Sequence, residues 1–478
     1  MEKILNYING ELVSPKNGNW IEGMNPATLE VTSQICDSEA ADVEAAIRSA
    51  ESAFTFWGQS SVSYRVQVVR KIADLIEENI EELSKIESMD NGKPISASKS
   101  VDIPRSATNF RYFCDAMTQF SSECHQTDPG LINFTTRSPL GVVGCISPWN
   151  LPLYLFTWKI APALLAGNTI VAKPSEVTPM SAFFLSKLCI RAGLPGGVLN
   201  IVHGHGHKIG ETLNTDPVVK AISFTGSTQT GRMIATAAAG SFKKVGLEMG
   251  GKNPTIVFAD ADLELATSGA KRAAFSNQGQ ICLCGSRILV EKSIYSDFCH
   301  RLIQKTREIT IGDPLDPKTQ HGAMVSGEHF NKVMKSIELA VQEGGKILCG
   351  GNSVKPEGLA GYFIEPTLIE GLGSECRTNQ EEIFGPVATI IPFEGEEQAL
   401  EIANSTEYGL AASVWTKDIS LAHRMSEKLE AGMVWVNCWM ERDLRTPFGG
   451  VKNSGFGREG GLESLRFFTK PKNICISY

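Results

Sequence analysis

The stretch NTIVAKPSEVTPMSAFFLSKLCIRAGLPGGVLNIV, residues 168–202, reads as an apolar strand-like run, NTIVAKP, a helical segment, MSAFFLSKLCIRAG, and a second strand, GVLNIV. Short β-rich runs separated by a helix of about ten or more residues indicate a βαβ unit in a parallel sheet. The pattern continues outward. Upstream lies GVVGCIS from Gly141, and downstream lie the strand AISFTG from Ala221 and the helix TGRMIATAAAG from Thr230. A second cycle follows Gly250: strand NPTIVFA, helix LELATSGAKRAAFSN, strand RILVE, two helices between Tyr295 and Gly344, strands KILCGG and ATIIPF, helix EEQALEIANS and strand GMVWVN. The expected fold class is α/β, with two doubly wound parallel-sheet units meeting near residue 250.

The flanks carry other patterns. Before residue 115 the sequence predicts mainly helix, including an amphipathic run from Arg65 to Met89 whose charges share one solvated face. Residues 120–139 and the tail FFTKPKNICISY read as strands outside both units, an arm of the kind that mediates association. The division expected is 1–119 with 140–250, then 251–459, with 120–139 and 460–478 as the arm.

A chain of 478 residues exceeds the size of a single core, and its 42% apolar and 21% charged residues suit an ordered α/β protein. A formal net charge of −8 disfavours a nucleic-acid or anionic-membrane surface and points to small-molecule partners. The segment MEKILNYINGEL lacks the apolar core of a signal peptide, and no run of about 18 apolar residues suggests a membrane span. The cytoplasm is the expected compartment. There, 12 dispersed cysteines are expected to be thiols, most of them buried and inert.

One segment is an exception. SNQGQICLCGSR, residues 276–287, places Cys282 and Cys284 one residue apart between glycines at the end of a helix. A zinc site needs a second ligand couple, which this pair lacks, and a thioredoxin-type redox pair has two intervening residues. No metal is expected. The glycines let backbone approach a ligand closely, so one of the two cysteines is a candidate nucleophile. A thiol of ordinary pKa is only about a few per cent thiolate at neutral pH and needs a base or a favourable field. GLEMGGKNP supplies a carboxylate, Glu248, at a strand end beside paired glycines at the unit boundary, where α/β proteins bind ligands. By itself such a residue reads as a surface or ion-paired carboxylate.

Taken together, seven segments in order resemble the NAD(P)-dependent aldehyde dehydrogenase superfamily over essentially the whole chain: ISPWNLPL, KPSEVTP, FTGSTQTG, LEMGGK, NQGQIC, EEIFGPV and PFGGVKNSGFGRE. Met249 stands where the family's glutamate motif usually has Leu. The resemblance implies an NAD-binding first unit, a catalytic second unit and a β oligomerisation arm that builds a homo-oligomer, a dimer or tetramer. It implies that Cys282 attacks the aldehyde carbonyl, that Asn150 and the Cys282 N–H hold the resulting oxyanion, and that Glu248 activates the water that hydrolyses the thioester.

The same resemblance implies NAD as cofactor. FTGSTQTG follows a strand and opens a helix, so Gly226, Ser227 and the helix N-terminus can meet a pyrophosphate. Lys173 and Glu176, with Ser175, resemble the adenosine-ribose contacts; Glu382 and Phe384, with Trp149, resemble the nicotinamide side. A carboxylate at 176 accepts ribose hydroxyls and repels a 2′-phosphate by roughly 4 kcal/mol per charge pair as an upper value, which favours NAD over NADP.

VDIPRSATNFRYF (101–113) and NCWMERDLRTPFGG (437–450) put Arg105 and Arg442 where generic members carry apolar residues. With ISPWNLPL they resemble the branch that oxidises 2-aminomuconic and 2-hydroxymuconic 6-semialdehydes. A guanidinium binds a distal substrate carboxylate bidentately. The competing role is pairing with Asp102 or Asp443, and Arg445 is a rival candidate ranked below Arg442. Another acidic or polar aldehyde, such as succinic semialdehyde or betaine aldehyde, is the alternative substrate. Glu248 argues against transfer to coenzyme A, and Cys282, Glu248 and Asn150 together argue against a silent scaffold. HGHGHK (203–208) reads as a turn with incidental histidines.

Overall fold

The computed structural model describes residues 1–478. Five parallel strands lie side by side in the order Lys244–Glu248, Val219–Thr225, Val142–Ile146, Thr169–Lys173 and Leu199–Ile201. Thr169–Lys173 and Leu199–Ile201 are buried throughout, which explains why they read as continuous apolar runs. The chain enters at Val142–Ile146, winds outward to Leu199–Ile201, then crosses to Val219–Thr225 on the other side. This reversal leaves a crevice beyond the carboxyl ends of Val142–Ile146 and Val219–Thr225.

The second sheet runs Lys346–Cys349, Thr367–Glu370, Val387–Phe393, Arg287–Glu291, Pro254–Val257, Ala411–Trp415 and Met433–Val436. All its neighbours are parallel except Lys346–Cys349, which is antiparallel at one edge. The loops that enter these strands, 249–253, 281–286, 381–386 and 409–410, face the carboxyl ends of the first sheet. Between the two sheets lies the site.

Several elements depart from the expected layout. The first 36 residues form five short strands rather than helix, two of which, Asn6–Ile8 and Glu11–Val13, extend the first sheet antiparallel. The run from Arg65 to Met89 is two helices, Val62–Glu78 and Ile80–Asn91, broken at Asn79, whose amide nitrogen donates to the Leu75 carbonyl at 2.7 Å. Nor is that face all solvated. Arg65 is buried and donates to the Leu165 carbonyl at 2.9 Å, and Glu87 is fully buried. Gly455–Phe456, within the segment assigned to the second unit, pairs with Lys244–Glu248 of the first sheet.

Cys124–Gln126, Leu131–Pro139 and Thr469–Ser477 form a separate antiparallel sheet, in register from Thr469 opposite Pro139 to Ser477 opposite Leu131. No helix is long and apolar enough to cross a membrane.

Candidate active site

Four cavities adjoin one another through shared walls. A cavity of about 960 Å³ lies over the crevice of the first sheet and is bordered by Trp149, Lys173, Ser175, Glu176, Gly226 and Ser227. Trp149, Gly226 and Ser227 also border a second cavity of about 380 Å³, with Asn150, Cys282, Glu382 and Phe384. Cys282 in turn borders a void of about 20 Å³, roughly the room one water needs, with Glu248 and Arg442. Arg442 then separates that void from an outer cleft of about 1040 Å³ that Arg105 also borders. Cys282, Glu248, Asn150, the cofactor-side residues and both arginines therefore border a row of neighbouring cavities, whereas Cys284 borders none of the four.

The Cys282 loop is held by an unusual backbone. Asn277 (φ 51°) and Gln278 (φ 57°) are left-handed, a costly conformation for residues with side chains, and are followed by Gly279 at φ 69°. Gly279 is obligatory: a Cβ there would lie 2.0 Å from the Gly385 carbonyl oxygen. Gln278 is buried and its amide donates to the Ala323 carbonyl at 2.9 Å, while Gln280 Oε1 accepts from the Val325 N–H at 3.2 Å.

Beyond it, each carbonyl from 280 to 284 has a donor. Asn150 Nδ2 reaches Gln280 O at 2.9 Å, the Cys284 N–H reaches Ile281 O at 3.0 Å, and Trp439 Nε1 reaches Leu283 O at 3.1 Å. Asn253 Nδ2 holds both Cys282 O (2.7 Å) and Cys284 O (3.0 Å). The Cys282 N–H makes no hydrogen bond within the chain, so it is free to serve an oxyanion beside Asn150.

The electrostatics differ from the low-pKa thiol that a reactive cysteine would suggest. Burial pushes the Cys282 thiol well above its usual range, and Glu382, Glu248 and Cys284 push the same way; only Arg442 opposes them. This environment favours the thiol of Cys282 over its thiolate. Cys284 is buried, raised to about 12 by burial first, and its sulfur faces the Ser276 carbonyl. Cys282 borders two of the cavities and Cys284 none of the four, which separates the two cysteines.

Glu248 ends strand Lys244–Glu248, is 4% exposed, and neither of its carboxylate oxygens has a hydrogen-bond partner. Burial, then Glu459, raises its pKa well above the ordinary carboxylate value, against Lys159, Arg458 and Arg442. It is thus neither a surface carboxylate nor a paired one. Behind it, Lys159 Nζ contacts Glu459 Oε1 at 2.7 Å and Ser223 Oγ at 3.1 Å, and Ser223 donates to the same carboxylate at 2.9 Å.

In the cofactor crevice, Ser227 caps helix Thr228–Ala239, accepting from the Thr230 N–H at 3.2 Å. Glu176 Oε2 lies 2.7 Å from Lys173 Nζ and its other oxygen accepts from Gly206 N–H at 3.3 Å. Burial alone raises the Glu176 carboxyl, but the Lys173 charge and these hydrogen bonds outweigh it and hold it at about 2. It stays anionic, although Lys173 offsets part of the repulsion expected toward a 2′-phosphate.

Glu382 is in place beside the thiol, accepting from Gly251 N–H at 3.0 Å; burial raises its pKa. Phe384 is left-handed (φ 61°), and its carbonyl accepts from His329 Nε2–H at 2.7 Å. Trp149 packs edge-on against both rings, 5.2 Å from Phe384 and 5.0 Å from His329. Thr225 borders three of the cavities, and its buried Oγ1 has no partner.

Arg105 and Arg442 have neither of the carboxylate partners considered for them. Asp102 is taken by the buried Lys93 at 2.5 Å, and Asp443 by Arg445 at 2.5 Å. That pairing, on the exposed side, also removes Arg445 as a free cation. Arg442 Nη1 donates to the Tyr154 hydroxyl at 3.2 Å and stacks on Phe448, 4.1 Å from its ring centroid. Arg105 donates to Asn109 Oδ1 at 3.2 Å and leaves a buried Nη2 with no acceptor.

Of the HGHGHK histidines, His203 and His205 precede helix Gly206–Thr215, whereas His207 lies in its first turn rather than in the expected turn. His203 is buried, and burial holds its pKa down to about 3. No cluster of three or more His, Cys, Asp or Glu side chains is arranged to hold a metal ion.

Asn253, Lys159, Thr225, His329 and Trp439 were not singled out from sequence. Thr225 sits inside FTGSTQTG, Trp439 inside NCWMERDLRTPFGG and Asn253 beside LEMGGK, so position in or next to those segments is an available signal; Lys159 and His329 have none.

Comparison with known proteins gives the class to which this crevice, Cys282 loop and boundary carboxylate belong. The profile described as "Aldehyde dehydrogenase family" matches residues 12–474, and the chain belongs to that family. It is 48% identical over 478 residues to the 2-aminomuconic semialdehyde dehydrogenase of Danio rerio, covering 99% of this chain and 98% of that one. It is 44% identical over 484 residues to the 2-hydroxymuconic semialdehyde dehydrogenase of Pseudomonas sp. (strain CF600), covering 100% of both. Among solved structures, the NAD+ complex of the aldehyde dehydrogenase from Bacillus cereus superposes with a TM-score of 0.97 at 38% identity, over 99% of this chain and 96% of that one.

Proposed function

We propose that the enzyme oxidises a semialdehyde bearing a distal carboxylate, of the 2-aminomuconic or 2-hydroxymuconic 6-semialdehyde type, to the dicarboxylate with NAD. One observation carries the substrate class: Arg442, a guanidinium with no carboxylate partner, stands between the outer cleft and the void that Cys282 borders. Its fork is suited to an anionic end group while the aldehyde reaches the thiol. Arg105 supplies a second cation nearer the mouth. The names of the relatives above support the same substrate.

NAD fits the long crevice, with Lys173, Ser175 and Glu176 toward the adenosine end, Gly226 and Ser227 at the helix N-terminus, and Trp149, Glu382 and Phe384 toward Cys282. The unpartnered Thr225 Oγ1 and the anionic Glu176 are the observations that favour a polar dinucleotide there. When bound, NAD accepts the hydride.

The remaining chemistry belongs to the chain. The Cys282 proton leaves toward Glu248, and the sulfur adds to the aldehyde carbon as the carbonyl electrons move onto oxygen. The Cys282 N–H and Asn150 Nδ2 hold that oxyanion. Loss of hydride from the thiohemiacetal carbon leaves a thioester on Cys282. Glu248 releases that first proton to solvent and takes another from a water that attacks the thioester carbon; the C–S bond breaks, the sulfur recovers a proton and the acid is released.

Residues 1–119 with 140–250 are assigned as the NAD-binding domain, 251–459 as the catalytic domain, and 120–139 with 460–478 as the arm through which copies associate in the cytoplasm. The test of function is NADH production on a panel of semialdehydes with and without a distal carboxylate. A marked preference for the acidic members is expected; equal rates on neutral aldehydes would refute the substrate assignment.

A further inference from the structure

The loop that carries Arg442 also grips the nucleophile loop. After strand Met433–Val436 the chain turns through two left-handed residues, Asn437 (φ 55°) and Met440 (φ 63°), and Trp439 lies between them. The turn is fixed at both ends. Asn437 exchanges hydrogen bonds with the backbone of Thr416 at 2.8 and 3.0 Å, and Trp435 Nε1 donates to the Glu441 carbonyl at 2.9 Å. This backbone drives the Trp439 indole inward, where it is 4% exposed and packs with Ile281, Leu283 and Cys284.

Its Nε1–H donates to the Leu283 carbonyl at 3.1 Å, and no other donor reaches that oxygen. Of the donors that pin the carbonyls from 280 to 284, Trp439 alone comes from the loop holding the substrate-side arginine. We propose that Trp439 is a positioning residue for the reaction. It fixes the Leu283–Cys284 peptide, one residue beyond Cys282, so that the Cys282 N–H and sulfur stay aimed at the aldehyde, and it makes that aim depend on the seating of the Arg442 loop. The inference rests on Cys282 being the nucleophile.

The test compares Trp439→Phe, which keeps an apolar ring and removes the N–H, with Trp439→His, which keeps a ring N–H. Steady-state kinetics are run on one acidic and one neutral aldehyde, with NAD affinity and melting temperature measured alongside. Loss of one buried hydrogen bond predicts a kcat lower by about tenfold in Trp439→Phe for both aldehydes, with KM and NAD affinity unchanged and substantial recovery in Trp439→His. Where Trp439→Phe does not fold, benzothienylalanine at position 439 keeps the shape of the indole and lacks its N–H.

A kcat within about twofold of the native enzyme in the N–H-less protein would overturn the proposal, since even a modest hydrogen bond accounts for more. Equal losses in the Phe and His variants that track melting temperature would also overturn it. Cys282→Ala separates the two claims: retained turnover there refutes the nucleophile itself.

Discussion

Arg442 Nη1 donates to the Tyr154 hydroxyl at 3.2 Å, and the same guanidinium faces Phe448 and Trp158, 4.1 and 5.4 Å from their ring centroids. A cation is thus held by a phenol and two π faces rather than by a carboxylate. Such faces stabilise the charge without neutralising it, so an incoming anion gains the full charge-assisted contact. Arg442→Ala should raise KM for a semialdehyde with a distal carboxylate by about a hundredfold, the scale of losing a buried ion-pair partner. KM for a neutral aldehyde of similar length should change little. Parallel KM measurements check this, and equal shifts would remove the anionic clamp.

Asn150 both braces the Gln280 carbonyl and stands beside the free Cys282 N–H. Asn150→Ala should lower kcat by about 10²–10³-fold, the usual consequence of deleting one oxyanion donor. NAD affinity, measured by fluorescence titration, should be unchanged. A fall in affinity with kcat preserved would show that Asn150 serves the cofactor instead.

The Glu248 carboxyl is held above its ordinary value of 4.5 by burial and by Glu459, with Lys159 pulling the other way. A general base works deprotonated, so turnover should rise with pH through this elevated pKa, and the acid limb of the kcat profile should lie well above 4.5. Lys159→Met removes a charge that lowers the pKa and should move the limb upward. Glu459→Gln removes one that raises it and should move the limb downward. Limbs that stay fixed in both variants would exclude Glu248 as the titrating group.

How much of this was legible in sequence follows from distance along the chain. Cys282, Glu248 and the glycines around them lie in short contiguous motifs, and the parallel strands announce themselves as apolar runs. Lys159 and Glu459 are 300 residues apart, and nothing local marks either as half of a buried pair behind the base. Trp439 looks like an ordinary loop aromatic until the fold brings it to Leu283, 156 residues away in sequence. The first 36 residues were misread because their strands are short and gain their hydrogen bonds from distant partners, such as Tyr7 opposite Ile201. The Arg65 to Met89 run has helical periodicity throughout, and periodicity alone does not reveal the break at Asn79 or the burial of Arg65.

Asn253 joins three backbone groups: it donates to the carbonyls of Cys282 and Cys284 and accepts from the Ala411 N–H at 2.9 Å. Asn253→Ala leaves the Cys282 carbonyl and the Ala411 N–H without a partner, each at a cost of about 1–3 kcal/mol if it stays buried, while the Cys284 carbonyl keeps the Ser286 N–H at 3.0 Å. The expected outcome is a lower melting temperature together with a reduced kcat. Calorimetry and NADH production check the two effects, and an unchanged melting temperature would show that water or a shifted loop replaces the bonds.

The central claim is a thioester formed on Cys282 and hydrolysed with the help of Glu248, and intact-protein mass spectrometry of Glu248→Gln tests it most directly. Mixed with NAD and an acidic semialdehyde, this variant should release a burst of NADH of about one per site and then stall, because base-assisted hydrolysis is lost. The protein mass should rise by the acyl group, located by peptide mapping at Cys282. Steady turnover without a burst, with no adduct or with one on another residue, would contradict the account.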